Sequence, residues 1–240
     1  MEIQVRLFAT LKDRAGRERV AVAVAEPATV KALLTALAAT YPALAPSLPA
    51  ALVAVNKTFA FTETPVQVGD EVALFPPVSG GSEDTAGPTY FAITSEPLDL
   101  NVIATHLTRP DVGAIVTFTG FVRGETQREG LPPATLYLEY EAYAEMAHLK
   151  MAQIAREIWQ RWPAVKGIAI VQRVGHLQVG EVTTLVACAA GHRDQGVFAA
   201  ARYGIDRLKE IVPVWKKEVG PNQSVWVEGH YRPVAEDNMA

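Results

Sequence analysis

Polar and apolar residues alternate along the first residues of the chain, with Ile3, Val5 and Leu7 set against Glu2, Gln4 and Arg6. A period of two marks a strand with one buried face. After a turn at Asp13–Arg17 the pattern returns in Val20, Val22 and Val24, so the two strands are expected to pair as a hairpin. The period then lengthens. Val30, Leu33, Leu34 and Leu37 stand at i, i+3, i+4 and i+7 behind Thr29, which predicts a capped helix with one apolar face, ended by Pro42, Pro46 and Pro49. Short strands are predicted at Leu52–Val55 and Glu71–Phe75.

Beyond residue 88 the pattern predicts a second set of elements, read as α/β. Leu98–Leu107 reads as a helix stopped by Pro110. Gly113–Arg123 and Leu136–Tyr143 read as strands. From Ala144 to Trp162 the set Met151, Ile154, Ala155, Ile158 and Trp162 has helical spacing. Strands are predicted at Ile168–Val171 and Val182–Cys188. A second long helix carries Phe198, Ala201, Ile205, Leu208 and Val212 as its apolar set, and Ser224–Glu228 closes the series.

Charge locates the seam between the two sets. Residues 1–81 hold 7 basic and 7 acidic side chains, whereas residues 82–240 hold 15 and 19. Between them, Ser79 to Pro88 is small, polar and punctuated by Gly and Pro, the composition of a linker. The expected organisation is α+β in two domains: 1–81, a linker at 82–88, and 89–240. The first, with its order strand, strand, helix, strand, strand, has the outline of a β-grasp, ubiquitin-like domain.

Composition narrows the function. Hydrophobic residues make up 49% of the chain and charged residues 20%, enough for packed cores. The alternating N-terminus is not that of a signal peptide, and no apolar run is long enough to predict a membrane span. A pI near 5.8 argues against bulk nucleic-acid binding. A single cysteine excludes a disulfide framework and fits a reducing compartment, so a cytoplasmic protein is expected. Cys188 sits in an apolar strand and is expected to be a buried thiol. His106, His148, His176, His192 and His230 lack metal-ligand spacing, and neither a metal nor a cofactor is expected. Glu139 and Glu141 share a strand face, read as structural or solvated, and the four tryptophans are read as core or interface residues.

Two features can carry chemistry. Gly80-Gly81 has no side chains and can thread a narrow channel; the pair is either plain linker or the tail of a carrier domain. The stretch from Arg193 to Lys217 is rich in cations. On a helix Arg202 and Lys209 lie about 20° apart at the edge of the apolar stripe. Lys209 there either presents a partly desolvated amine to a pocket or stands on a solvated face, paired with Asp206.

Ordered motifs add a resemblance. Phe75-Pro76-Pro77-Val78-Ser79-Gly80-Gly81 resembles the C-terminal ending of the molybdopterin synthase small subunit. Phe118-Thr119-Gly120-Phe121-Val122-Arg123 is similar to the FTGxVR stretch of the large subunit. Arg173-Val174-Gly175, Val179-Gly180-Glu181, Gly191-His192-Arg193, Tyr203 to Lys209, Val214 to Glu218 and Trp226-Val227-Glu228 continue that pattern in order. The large-subunit resemblance spans roughly Thr89 to Glu228. It implies an enzyme that inserts two sulfurs into cyclic pyranopterin monophosphate to form the molybdopterin dithiolene. Sulfur would arrive as a thiocarboxylate on Gly81, loaded by an adenylating enzyme. The resemblance further implies Lys209 as general acid/base and Lys216 as a second active-site lysine. It makes Arg123 and Arg193 the anion-binding arginines, lines the pocket with His192 and Phe118, and implies a homodimer formed through the C-terminal domain. The chain departs from the family pattern twice: the loop His192–Phe198 is one residue longer than HRxxAF, and His230 stands where some members carry an arginine. A rival reading is a non-catalytic ubiquitin-like carrier or modifier fused to a domain that binds a partner or an anionic ligand. It has no use for Lys209 and Lys216 together with Arg123.

Overall fold

Alternation at the N-terminus builds β1 (Glu2–Leu7), with Ile3, Val5 and Leu7 buried and Glu2 and Gln4 exposed. The computed structural model describes residues 1–76, 88–126, 130–227 and Tyr231, Val234 and Asp237. Gly80, Gly81, His230 and the expected linker as far as Gly87 lie outside the described residues. By packing, the chain divides into two units, Met1–Gly81 with Glu228–Met239, and Ser82–Val227.

In the first unit a short helix, α1 (Ala9–Ala15), stands where the sequence predicted a turn alone. Gly16 ends it in the left-handed region at φ +65°. Only Ala9 and Leu11 of this helix are buried, too few positions to show a helical period. β2 (Arg19–Ala23) returns antiparallel to β1, and β3 (Ala28–Thr29) leads into α2 (Val30–Thr40). The Thr29 hydroxyl caps that helix by accepting the Ala32 N–H at 3.4 Å. β4 (Leu52–Val55), β5 (Thr58–Ala60), β6 (Pro65–Val66) and β7 (Val72–Phe75) complete the unit. Its five-stranded sheet has the order β2-β1-β7-β4-β5, parallel only between β1 and β7. Val30, Leu33 and Leu37 of α2 enter the same core as Ile3, Val5 and Leu74. This is the expected β-grasp.

The second unit runs β8 (Thr89–Thr94), α3 (Leu100–Leu107), β9 (Ala114–Phe121), β10 (Tyr137–Ala142), α4 (Ala144–Arg161), β11 (Val165–Arg173), β12 (Gly175–Gln178), β13 (Val182–Ala190), α5 (Val197–Ile211), β14 (Val214–Val219) and β15 (Ser224–Val227). These strands form two four-stranded sheets, β8-β11-β13-β9 and β12-β10-β14-β15. Only β8 and β11 pair in parallel, so the unit is α+β. β11 and β13 are buried at nearly every position because helices cover both faces. Ala169, Val171, Leu185, Ala187 and Ala189 meet Ile103 and Leu107 of α3. On the opposite face α5 comes very close: a Cβ on Gly204 would lie 2.8 Å from Val186 Cγ1. That glycine lets the helix sit against the sheet. Cys188 is fully buried, and burial pushes its thiol up to about 12, so it is an inert core group.

Candidate active site

The last turn of α5 carries Lys209. Val197, Ala200, Ala201, Gly204, Ile205, Leu208 and Ile211 form the buried stripe of the helix. Phe198 belongs to the predicted apolar set but is 63% exposed; its position lies outside the buried arc. Phe198 and Lys209 are 11 residues apart, hence about 20° apart around the axis, and share one edge of the helix. There Lys209 Nζ stands 5.7 Å from the centroid of the Phe118 ring, within cation–π range. Phe118 lies on β9, the edge strand of its sheet, opposite Val186. It is 36% exposed, so the pair stands at the surface rather than in the core. Asp206, offered by the sequence as a partner for Lys209, instead faces Arg202 at 3.7 Å.

A second helix fixes α5. Glu157 of α4 accepts hydrogen bonds from the Tyr203 hydroxyl at 2.6 Å and from Arg207 Nε at 2.9 Å. Gln153 Nε2 donates to the same carboxylate at 2.6 Å. Burial alone would push the Glu157 carboxyl up, but the bonds from Arg207 and Tyr203 outweigh it and hold the group below its ordinary value. Burial and the adjoining Glu157 carboxylate push the Tyr203 phenol well above its own ordinary value.

From Phe118 the structure leads to Lys216. A Cβ on Gly120 would lie 3.7 Å from Phe118 Cε1, 3.1 Å from Thr183 Oγ1 and 3.0 Å from Thr184 Cγ2. Thr183 is 5% exposed, and a side-chain hydrogen bond joins it to Tyr140 of β10 in the other sheet. Tyr140 stands directly opposite Lys216 of β14 in antiparallel register, so the two side chains leave the sheet on one side. Glu218 follows Lys216 by two and shares that face. It is 4% exposed and accepts a hydrogen bond from the Thr135 hydroxyl. Burial, reinforced by the Glu218 charge and opposed by the Thr183 bond, raises the Tyr140 phenol above its ordinary value. Lys217 points the other way, 3.8 Å from Glu139 and 5.8 Å from the Trp226 ring centroid. Lys209 thus stands over Phe118, while Tyr140, opposite Lys216, is hydrogen-bonded to Thr183 of β13, the strand paired with that of Phe118.

The other predicted site residues lie elsewhere. Arg123 follows the end of β9 and is exposed; Val122 before it is buried, exchanging hydrogen bonds of 2.9 Å with Gly180 and Glu181. His192 and Arg193 occupy the exposed loop after β13. Arg193 Nη1 donates to His192 Nε2 at 3.0 Å, and His192 Nδ1 stands 2.5 Å from Asp194 Oδ1. An arginine can only donate, so Nε2 accepts and the imidazole proton lies on Nδ1, toward Asp194. The His192 hydrogen bond holds the Asp194 carboxyl below its ordinary value. α5 begins at this loop, on Gly196 at φ +82°, where a Cβ would lie 2.4 Å from Trp162 Cδ1. Along the helix axis Val197 and Lys209 are separated by about 18 Å. Within one copy of the chain, then, His192 and Arg193 lie at one end of α5 and Lys209 at the other. Among the described residues no group of three or more acidic, histidine or cysteine side chains is placed to hold a metal.

Sequence reasoning passed over Tyr140, Thr183 and Glu218. The strand parity that pairs Glu139 with Glu141 also turns Tyr140 to the opposite face, and that alternation was the available signal. Thr183 had no such signal, because its role depends on a side-chain contact with another sheet, to a residue more than 40 positions away in sequence.

Comparisons with known proteins give the family of each unit. The family described as MoaE protein matches residues 93–211, and the ThiS family matches residues 5–81. The molybdopterin synthase catalytic subunit of Halalkalibacterium halodurans is 42% identical over 137 residues, which cover 57% of this chain and 84% of that protein. The corresponding subunit of Staphylococcus carnosus is 41% identical over 147 residues, 61% of this chain and 93% of that protein. The crystal structure of molybdopterin synthase from Staphylococcus aureus superposes with a TM-score of 0.53 at 41% identity, over 58% of this chain and 97% of that one. The chain therefore belongs to the molybdopterin synthase catalytic-subunit family, sulfurtransferases of molybdenum cofactor biosynthesis, and carries a ThiS-family domain ahead of it on the same chain.

Proposed function

We propose that the first unit delivers sulfur as a thiocarboxylate on Gly81 and that the second unit transfers it to cyclic pyranopterin monophosphate. The observation that carries this reading is the placement of Lys209 over Phe118, in a domain that follows in sequence a carrier domain running to Gly80-Gly81. In each transfer the thiocarboxylate sulfur attacks a carbon of the precursor and forms a C–S bond as a C–O bond at that carbon breaks, the oxygen leaving with the phosphate when the ring opens and as water in the other transfer. Water then cleaves the bond between that sulfur and the glycine acyl carbon, and Gly81 leaves as a carboxylate. Two such transfers supply the two sulfurs of the dithiolene. Lys209 protonates the oxygen that departs when the precursor ring opens, and its surface position gives the substrate access. Lys216 binds substrate or relays a proton. Arg123, Arg193 and His192 bind the phosphate, for which forked guanidinium donors are suited.

Two further statements belong to this reading. His192 and Arg193 lie far from Lys209 along α5, so a homodimer formed through the second unit brings the two ends of α5 from different copies into one pocket. In the intact chain the Gly81 carbonyl is an amide to Ser82, with no terminal carboxylate to adenylate, so the chain is cut between Gly81 and Ser82 before it acts. An adenylating, sulfur-loading enzyme then acts on Gly81. The single cysteine, buried and free, supports a reducing compartment, the cytoplasm, for this chemistry. Intact-mass spectrometry of the protein from its native host, followed by incubation of the thiocarboxylated form with the precursor, tests the reading. The expected result is a cut after Gly81 and a dithiolene product. No dithiolene from a loaded carrier rejects the function, and turnover by the uncut chain rejects the cleavage.

A further inference from the structure

We propose that Tyr140, held by Thr183, is a positioning residue for Lys216; the proposal rests on the reading of Lys216 as an active-site lysine. Tyr140 and Lys216 are directly opposed on β10 and β14, so their Cβ atoms are nearest neighbours on one face of the sheet. A lysine stem is long, flexible and apolar, and it lies readily along an aromatic wall with its ammonium beyond the ring. Where the ring stands therefore limits where the ammonium can go. The ring position is set by the hydrogen bond between the Tyr140 and Thr183 hydroxyls, the latter on a strand of the other sheet. Thr183 is itself confined: it is 5% exposed, on β13, the strand paired with β9 of Phe118.

The hydroxyl contact thus ties β10, the neighbour of the strand of Lys216, to β13, the neighbour of the strand that carries Phe118 under Lys209. The ring alone would fill the space; the hydroxyl registers one sheet against the other. Lys217 supplies a built-in reference, because it stands one residue along the same strand and faces away, toward Glu139 and Trp226.

Tyr140→Phe keeps the ring and removes the hydroxyl, and Thr183→Val removes the same bond from its other end. The full chain and each variant are labelled with acetic anhydride, and the labelling rates of Lys216 and Lys217 are read by peptide mass spectrometry. A single hydrogen bond is worth roughly a threefold to tenfold effect. The expected result is a change of that size in the Lys216 rate in both variants, with Lys217 unchanged and Thr183→Ser close to the wild type. The double variant should change no more than Tyr140→Phe alone, since both remove one bond. Unchanged labelling of Lys216, or equal changes at Lys216 and Lys217, overturns the proposal, the latter because general loosening moves both lysines. Lys216→Ala is assayed for turnover in parallel. If it keeps full turnover, the reading of Lys216 as an active-site lysine fails, whatever the labelling shows.

Discussion

At its C-terminal end α5 sets Lys209 over the Phe118 ring, with Arg207 two residues earlier locked to Glu157 of α4. At its N-terminal end the same helix begins at Gly196, behind His192, Arg193 and Asp194, which are bonded to one another and exposed. At the first end the helix is pinned to the core, so packing determines where the cation stands. At the second, charges are held by local pairs in solvent, where each is worth little and adapts readily. A pinned end suits proton transfer, which demands fixed geometry; an adaptable end suits grasping a charged group. The two ends lie too far apart to serve one small substrate within one copy, which is why the proposed pocket joins two copies.

The contrast is most sharply broken at Lys209. Lys209→Ala should lower turnover by about 10²- to 10⁴-fold, the range for a lost general acid, with the fold intact by circular dichroism. Arg193→Ala should instead act mainly on KM. Mixing Lys209→Ala with Arg193→Ala protein under subunit exchange tests whether the ends meet across copies. Random pairing gives mixed dimers with one intact pocket in two, so about a quarter of wild-type activity should return. Activity no higher than that of the separate variants would put both ends in one copy.

A smaller effect is expected at the clamp. Glu157→Gln should destabilise the chain by about 1–3 kcal/mol in urea unfolding, less than a fully buried pair because Glu157 and Arg207 keep some exposure. The sign with pH follows from the lowered carboxyl. Its ionised form is favoured in the folded protein, so the stabilisation is complete above the ordinary value of 4.5 and is lost as pH falls through the lowered one. Wild type should therefore lose more stability on acidification than Glu157→Gln. Equal losses would remove Glu157 as the cause.

Much of the frame was legible in the sequence, because long periodic elements report their own burial. The helices Val30–Thr40, Ala144–Arg161 and Val197–Ile211 follow from apolar spacing, and Leu52–Val55 follows from a short apolar run between turns. Elements without a period escaped: the seven-residue α1, the three-residue β5, and β12 and β14, whose polar residues hide their alternation. Motif order pointed to Phe118, Lys209 and Lys216, but only pairing between strands distant in sequence sets Tyr140 opposite Lys216 and Thr183 on the strand next to that of Phe118. The same limit explains Phe198. Spacing alone could not tell the edge of an apolar stripe from its centre.

One feature of β14 reaches further. Lys216 and Lys217 are chemically identical neighbours, and only the parity of the strand decides which one faces Tyr140 and Glu218 and which faces Glu139 and Trp226. A protein that encodes its chemistry this way is tolerant of composition and intolerant of counting. A one-residue insertion or deletion between Pro213 and Lys216 would leave two lysines, the same charge and nearly the same sequence, yet would exchange their addresses. Any alignment of relatives, and any graft of this strand onto another scaffold, is therefore meaningful only if it preserves the frame in which that pair is read.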